Sequence, residues 1–196
     1  YANVMQRLNI YKLLQSLKRR IFRLTKKDKS LVHSSFYMKF IEYLKAFIYS
    51  FYLSHIYKYD EVEYKKCKYV YFPLHVQPEL SIDVLGPYNN DQFKLISDIS
   101  RSLPIDTKLI VKEHINFLGQ KPIKLFNQIK KLPNSYIIDH RTSSYDLIKN
   151  SEFVITISGT AAFEAALMSR WAVVLCDIYF KELPHIKYCS NLSDLK

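Results

Sequence analysis

Residues 151–170 read SEFVITISGTAAFEAALMSR, and residues 171–177 continue WAVVLCD. A short run of β-formers, Phe153 to Ile157, ends at Ser158-Gly159-Thr160. An alanine-rich stretch follows, starting a helix near Thr160, and then comes a second apolar run. Two strands joined by one helix lie parallel, because the helix carries the chain back to the edge where the first strand began. The same unit recurs upstream. "KYVYFPL" (68–74), "TKLIVKEH" (107–114) and "SYIIDH" (135–140) read as strands. "NNDQFKLISDISRSL" (89–103), with Asn90 or Asp91 as its cap, "KPIKLFNQIKKL" (121–132) and "SSYDLIKN" (143–150) read as helices. Strands and helices alternating with short connections predict an α/β fold with an open parallel, Rossmann-like sheet over residues 67–196.

Residues 1–66 have a different texture. Leu8, Tyr11, Leu14, Ile21 and Leu24 recur at helical spacing with Lys and Arg between them, and residues 33–57 form a second, strongly aromatic helix. The formal net charge of +11 is concentrated here. Residues 1–68 hold 15 Lys and Arg against 5 Asp and Glu, and residues 69–196 hold 14 against 13. This basic helical region reads as a linker or inter-domain segment, suited to an anionic membrane surface, a phosphorylated substrate or a solvated face. Its tyrosines follow helical spacing rather than that of a base-stacking platform, which argues against nucleic acid. The longest uncharged run, Ala46 to Tyr57, is too short to span ~30 Å of hydrocarbon. No secretory signal is visible, and Cys67, Cys176 and Cys189 are far apart, without zinc spacing. Reduced thiols and a cytoplasmic location follow, peripheral at the inner membrane if the basic helices dock there. The chain opens on Tyr1 rather than Met, so a partial gene product is expected.

Ligands of such sheets bind beyond the carboxyl ends of the strands. The residues at those ends are His75, Gln77 and Glu79 in "PLHVQPE", then Lys112, Glu113 and His114, then His140 and Arg141, then Ser158, Gly159 and Thr160. Gly159 lets the backbone approach a ligand without a Cβ in the way. The helix that follows presents free N–H groups and a partial positive charge to the same edge, suited to a phosphate. Glu164 lies one turn along on the side of Thr160, placed to accept hydrogen bonds from ribose hydroxyls. The alternative is that Ser158 or Thr160 merely caps the helix. A capping box would require Ser or Thr at position 161, which is alanine. Neither a P-loop nor a GxGxxG fingerprint is present.

Three stretches together, "YFPLHVQPE" (71–79), "VKEH" (111–114) and "ISGTAAFEAAL" (157–167), resemble the bacterial capsule polysaccharide biosynthesis glycosyltransferases, the group containing the Kdo transferases. Ile115, Ala162 and Trp171 depart from that family's frequent proline, glycine and proline. The resemblance spans residues 68–185 and implies the C-terminal, donor-binding half of a two-domain GT-B enzyme. That half would take a nucleotide sugar, CMP-linked Kdo among the candidates, for transfer to a lipid-linked or oligosaccharide acceptor of an exported surface polysaccharide. It implies that Lys112 and His114 contact the donor phosphate, that Ser158, Gly159 and Thr160 cradle it, and that Glu164 holds the ribose. His75, Gln77 and Glu79 would line the cleft on the sugar side. It also implies no metal, and a catalytic base in an N-terminal domain absent from this chain. Two other functions compete: a nucleotide-sugar epimerase of related fold, and a non-catalytic basic module that docks on membranes.

Overall fold

The structure is a computed structural model that describes residues 36–75 and 91–189. The basic helix expected over the first residues, together with Gln77 and Glu79, lies outside the described residues. Two compact units divide the chain, Tyr1–Ile41 and Glu42–Lys196. The boundary falls inside helix α1 (Phe36–His55). The sheet and all packing described below belong to the second unit.

Six strands form one sheet: β1 (Tyr69–Pro73), β2 (Lys108–Lys112), β3 (Ser135–Ile138), β4 (Phe153–Thr156), β5 (Trp171–Val174) and β6 (Ile186–Tyr188). Their order is β3-β2-β1-β4-β5-β6, and every pair is parallel. Helices α2 (Gln92–Ser102), α3 (Ile123–Ile129), α4 (Ser144–Asn150) and α5 (Thr160–Leu167) connect them. This is the doubly wound order, in which the chain starts centrally, runs to one edge and returns to fill the other. The expected open parallel sheet is borne out.

Alternation along each strand divides the core in two. Val70, Phe72, Leu109, Val111, Ile137, Ile155 and Val173 pack on one face with Leu95, Ile96 and Ile99 of α2, Phe126 and Ile129 of α3, and Leu53 of α1. Tyr69, Tyr71, Ile110, Ile138, Val154 and Val174 face the other way, against Leu147 and Ile148 of α4 and Ala162 and Ala165 of α5. Strands covered on both faces read as unbroken apolar runs, which is why they stood out in the sequence. Asp91 caps α2 by accepting from the Lys94 amide at 3.0 Å, and Ser143 caps α4 by accepting from the Asp146 amide at 3.2 Å. Helix α5 stops at Leu167, and Ser169 turns out of it with φ +55°. Strand β6 joins β5 through a series of turns, residues 175–185.

Edge strand β3 is sealed by the segment after α1. The Asp60 amide donates to Ile137 O, and the Ile137 amide donates back to Asp60 Oδ2, both at 2.8 Å. Lys130 of the turn after α3 pins this segment, with Nζ 2.9 Å from Asp60 Oδ1. The outer edge of β3 is thus paired at Ile137. Gly119, at φ +87°, sits hard against the backbone of α1: a Cβ there would meet Ala46 O and come within 2.6 Å of Ser50 N.

Candidate functional site

In this strand order the crevice opens at the carboxyl ends of β1 and β4, where successive crossovers go to opposite faces. Here α2 follows β1 on one face and α5 follows β4 on the other. Register explains how the crevice forms. The Leu74 amide donates to Lys112 O of β2, so alternate residues Tyr71 and Pro73 are directed toward β4. Pro73 has no N–H to give. The β1–β4 ladder accordingly stops at Tyr71↔Val154, short of the strand ends.

His75 fills that gap. Its Nε2 accepts from the Ile157 amide at 3.0 Å and lies 2.9 Å from Thr156 Oγ1. Thr156 Oγ1 in turn accepts from the Gly159 amide at 3.0 Å. The threonine hydroxyl therefore donates to Nε2, and the imidazole is the neutral Nδ1–H tautomer. Gln92 clamps the His75 backbone from α2: His75 N donates to Oε1 at 2.8 Å and Nε2 donates to His75 O at 3.0 Å. Burial pushes the His75 pKa down to about 3, with Lys121 and His114 adding repulsion. His75 is thus 7% exposed and turned toward the end of β4.

Gly159 is the N-cap of α5 at φ −74°, ψ 151°, which any residue can adopt. A Cβ there would lie 2.7 Å from Thr156 Oγ1 and 2.9 Å from His75 Cε1. The glycine makes room for the imidazole. No side chain caps α5, neither Ser158 nor Thr160, and its first turn holds no acidic residue. The Thr160 and Ala161 amides, the first of the helix, have no i−4 partner within it. Thr160 and Glu164 are exposed, one turn apart, and Ser158 is partly exposed.

The other predicted residues among those described occupy the same carboxyl end of the sheet. Lys112 is buried, and its ammonium donates to Thr142 O at 2.8 Å and Ser144 Oγ at 2.6 Å. Burial pushes its pKa down, opposed by the charges of Asp139 and Glu164. Glu113 is fully buried; its Oε1 accepts from the His114 amide at 2.8 Å and pairs with Lys121 Nζ at 3.3 Å, and Oε2 has no partner. Burial raises its pKa against the pull of Lys121. This lasso, closed across residues 113–121, leaves His114 exposed at the strand end. After β3, Arg141 holds Asp139 through Nε and Nη2, and His140 is buried with Nδ1 3.2 Å from Tyr59 OH. Burial would raise Asp139, but the Arg141 hydrogen bonds outweigh it and hold the carboxyl below its usual range. A groove of about 990 Å³ lies beside this end, lined by Tyr57, Tyr59, Asp139, Arg141 and Thr142 among others. A second groove of about 680 Å³, containing Lys68, Phe153 and Trp171, is at the amino ends of the strands.

The site elements that the sequence reading missed are Thr156, Gln92, Lys121 and Ser144. Only Thr156 left a trace, as the one hydroxyl inside the apolar run of β4. Among the described residues no group of three His, Cys, Asp or Glu could hold a metal, and no helix is long and apolar enough to cross a membrane.

Solved structures share this architecture. KpsC of Thermosulfurimonas dismutans, a β-Kdo 2,4 transferase, superposes with TM-score 0.51 at 14% identity, covering 80% of this chain and 51% of that one. The likeness is one of fold. The β-Kdo 2,7 transferase KpsC of the same organism follows at TM-score 0.48 and 18% identity, covering 86% of this chain and 49% of that one. The Staphylococcus aureus MnaA–UDP co-structure gives TM-score 0.41 at 18% identity, with 62% and 33% covered. This chain thus spans about half the length of the KpsC chains it matches. No protein-family model and no curated protein matches it.

Proposed function

We propose that this chain carries the donor-binding part of a GT-B glycosyltransferase of capsular or surface polysaccharide biosynthesis, taking a sugar from a nucleotide-activated donor. The observation that carries the reading is the uncapped start of α5 at the switch point. Its first amides have no partner within the helix and follow the Ser158-Gly159 turn, with Glu164 exposed one turn along. A helix start without a carboxylate cap favours a phosphate, and an acceptor about one turn away suits the hydroxyls of an attached ribose. Ser158 and the Thr160 and Ala161 amides would hold the phosphate, with Gly159 shaping the turn, its own amide bonded to Thr156, and with His114 across the crevice. Lys112 would add charge from beneath, since its ammonium is already bound to Thr142 and Ser144. Gln77 and Glu79 would serve the sugar side, and the acceptor, lipid-linked or saccharide, would bind with the catalytic base outside this chain. The helix dipole and basic groups offset leaving-group charge without a metal.

Titration with CMP, UDP and their sugar derivatives tests this reading. Saturable binding is expected, and Glu164→Ala should weaken nucleoside monophosphates by about tenfold while leaving pyrophosphate affinity within twofold. Equal loss for both ligands, or no saturation at millimolar nucleotide, would remove it. Conversion of the free donor without any acceptor would assign the site to an epimerase instead.

The membrane partner rests on α1. Tyr43, Leu44, Phe47, Ile48 and Phe51 share one helix face and are 45–62% exposed. They lie within the strongly basic first third of the sequence. An aromatic face beside positive charge suits the anionic inner leaflet, with the enzyme cytoplasmic and peripheral there. Co-sedimentation with anionic vesicles that matches neutral vesicles would count against this docking.

A further inference from the structure

The β1–β4 gap places a side chain where a ladder hydrogen bond belongs. In a parallel sheet the Ile157 amide would pair with a carbonyl of the neighbouring strand, but the β1–β4 ladder ends at Tyr71↔Val154. The imidazole of His75 supplies the acceptor instead, 3.0 Å away. The same nitrogen receives the Thr156 hydroxyl, which takes up the Gly159 amide. Gln92 fixes the histidine from below through two backbone bonds, and the missing Cβ of Gly159 leaves just the space that the ring occupies. These bonds form a continuous network from α2 through the end of β1 and β4 to the start of α5.

We propose that His75 is a positioning residue: as a neutral acceptor it staples the end of β1 to the end of β4, and through Thr156 it sets the 157–160 turn so that the α5 amides stay open to an anion. The bond to Thr156 turns the Gly159 amide inward, so the donors without a partner in the helix are those of Thr160 and Ala161 beyond it. A positively charged imidazole could not do this, because its Nε2–H would oppose the Ile157 N–H and reverse the sense of the Thr156 bond. The inference concerns the shape of the turn and holds for any anionic ligand, so its failure and that of the donor-binding reading are separable.

Two measurements on the full chain test it. Long-range ¹H–¹⁵N NMR reads the tautomer directly: His75 should show an unprotonated Nε2 and a protonated Nδ1 and stay neutral at pH 5.5. An Nε2–H tautomer, or titration near the ordinary histidine value, overturns the proposal. Amide exchange reads the turn. Thr156→Val, nearly isosteric, should speed exchange at Gly159 by about tenfold, the effect of one lost neutral hydrogen bond, with Ile110 and Val111 of β2 unchanged. His75→Leu should speed exchange at Ile157 and Gly159 together, and His75→Gln, whose Oε1 can accept in place of Nε2, should restore at least half of the protection. Unchanged Gly159 exchange in Thr156→Val, or Gln behaving like Leu, sinks the idea. If His75→Leu fails to fold, the tautomer and the Thr156→Val result still decide. Inorganic pyrophosphate affinity should fall in step with lost Gly159 protection across the folded variants, and an affinity indifferent to that protection also overturns it.

Discussion

Gly159→Ala isolates one physical term. The backbone at 159 lies at φ −74°, ψ 151°, so alanine meets no conformational strain there. Removing a glycine even restricts the unfolded chain, which would stabilise the protein by ~0.4–1 kcal/mol if nothing else changed. Against this stand two close approaches. The new methyl carbon would sit 2.7 Å from Thr156 Oγ1 and 2.9 Å from His75 Cε1, well inside van der Waals contact. Neither neighbour can swing away cheaply. Thr156 is fully buried and bonded to Gly159, and His75 is held by Gln92 on one side and Ile157 on the other. Overpacking of this kind costs ~1–3 kcal/mol. The expected net loss is therefore ~1–2 kcal/mol, or a fall in Tm of ~2–8 °C for a domain of this size. Urea unfolding at pH 7.5 with the slope held constant measures it. A variant as stable as the parent, or more stable, would refute the placement of the imidazole beneath the glycine.

Other outcomes follow from the same geometry. Gly119→Ala should cost more than Gly159→Ala, ~2–4 kcal/mol, because it adds left-handed strain at φ +87° to a clash with the immovable backbone at Ala46 and Ser50; urea unfolding again reads it. Acid should destabilise the fold through His75. Its folded pKa is about 3, so below the unfolded value of 6.5 the unfolded chain takes up a proton that the folded chain refuses. The His75 contribution is whole above pH 6.5 and is lost as pH falls from there toward 3, at up to ~1.4 kcal/mol per pH unit. His140 is shifted the same way and Glu113 the opposite way, and both remain in His75→Gln. The difference between the two proteins' stability curves should therefore show the His75 slope, and parallel curves would contradict it. Lys130→Met should expose the edge of β3 by releasing Asp60 and the Lys58 carbonyl, seen as faster exchange at Ile137.

What the sequence disclosed and what it hid have physical causes. Strands β1 to β5 were legible because both faces are covered, so nearly every residue in them is apolar. Strand β6 was not legible: it has three residues, two of them exposed, and reaches β5 by turns rather than a helix. The right edge of the sheet could be read because residues after parallel strands converge whatever the loops do. Their roles could not, since those depend on partners far along the chain. His75 looked like a cleft residue flanked by two prolines, yet its nitrogen meets Thr156 and Ile157, more than eighty residues away. Lys112 was read as a contact to the donor phosphate, and its bonds to Thr142 and Ser144 could not be read from sequence. Gly159 was read as a place for close ligand approach, and its three-dimensional neighbours add that a Cβ there would also meet Thr156 and the His75 imidazole.

The central claim is an anion site at the start of α5 that continues into a nucleoside site at Glu164. Backbone amide NMR during titration with CMP and UDP tests it most directly. Saturable shifts centred on Ser158, Thr160 and Ala161, extending to Glu164 with nucleotide but not with pyrophosphate, are the predicted result. Shifts confined to the basic residues before β1, or none at millimolar nucleotide, would contradict it.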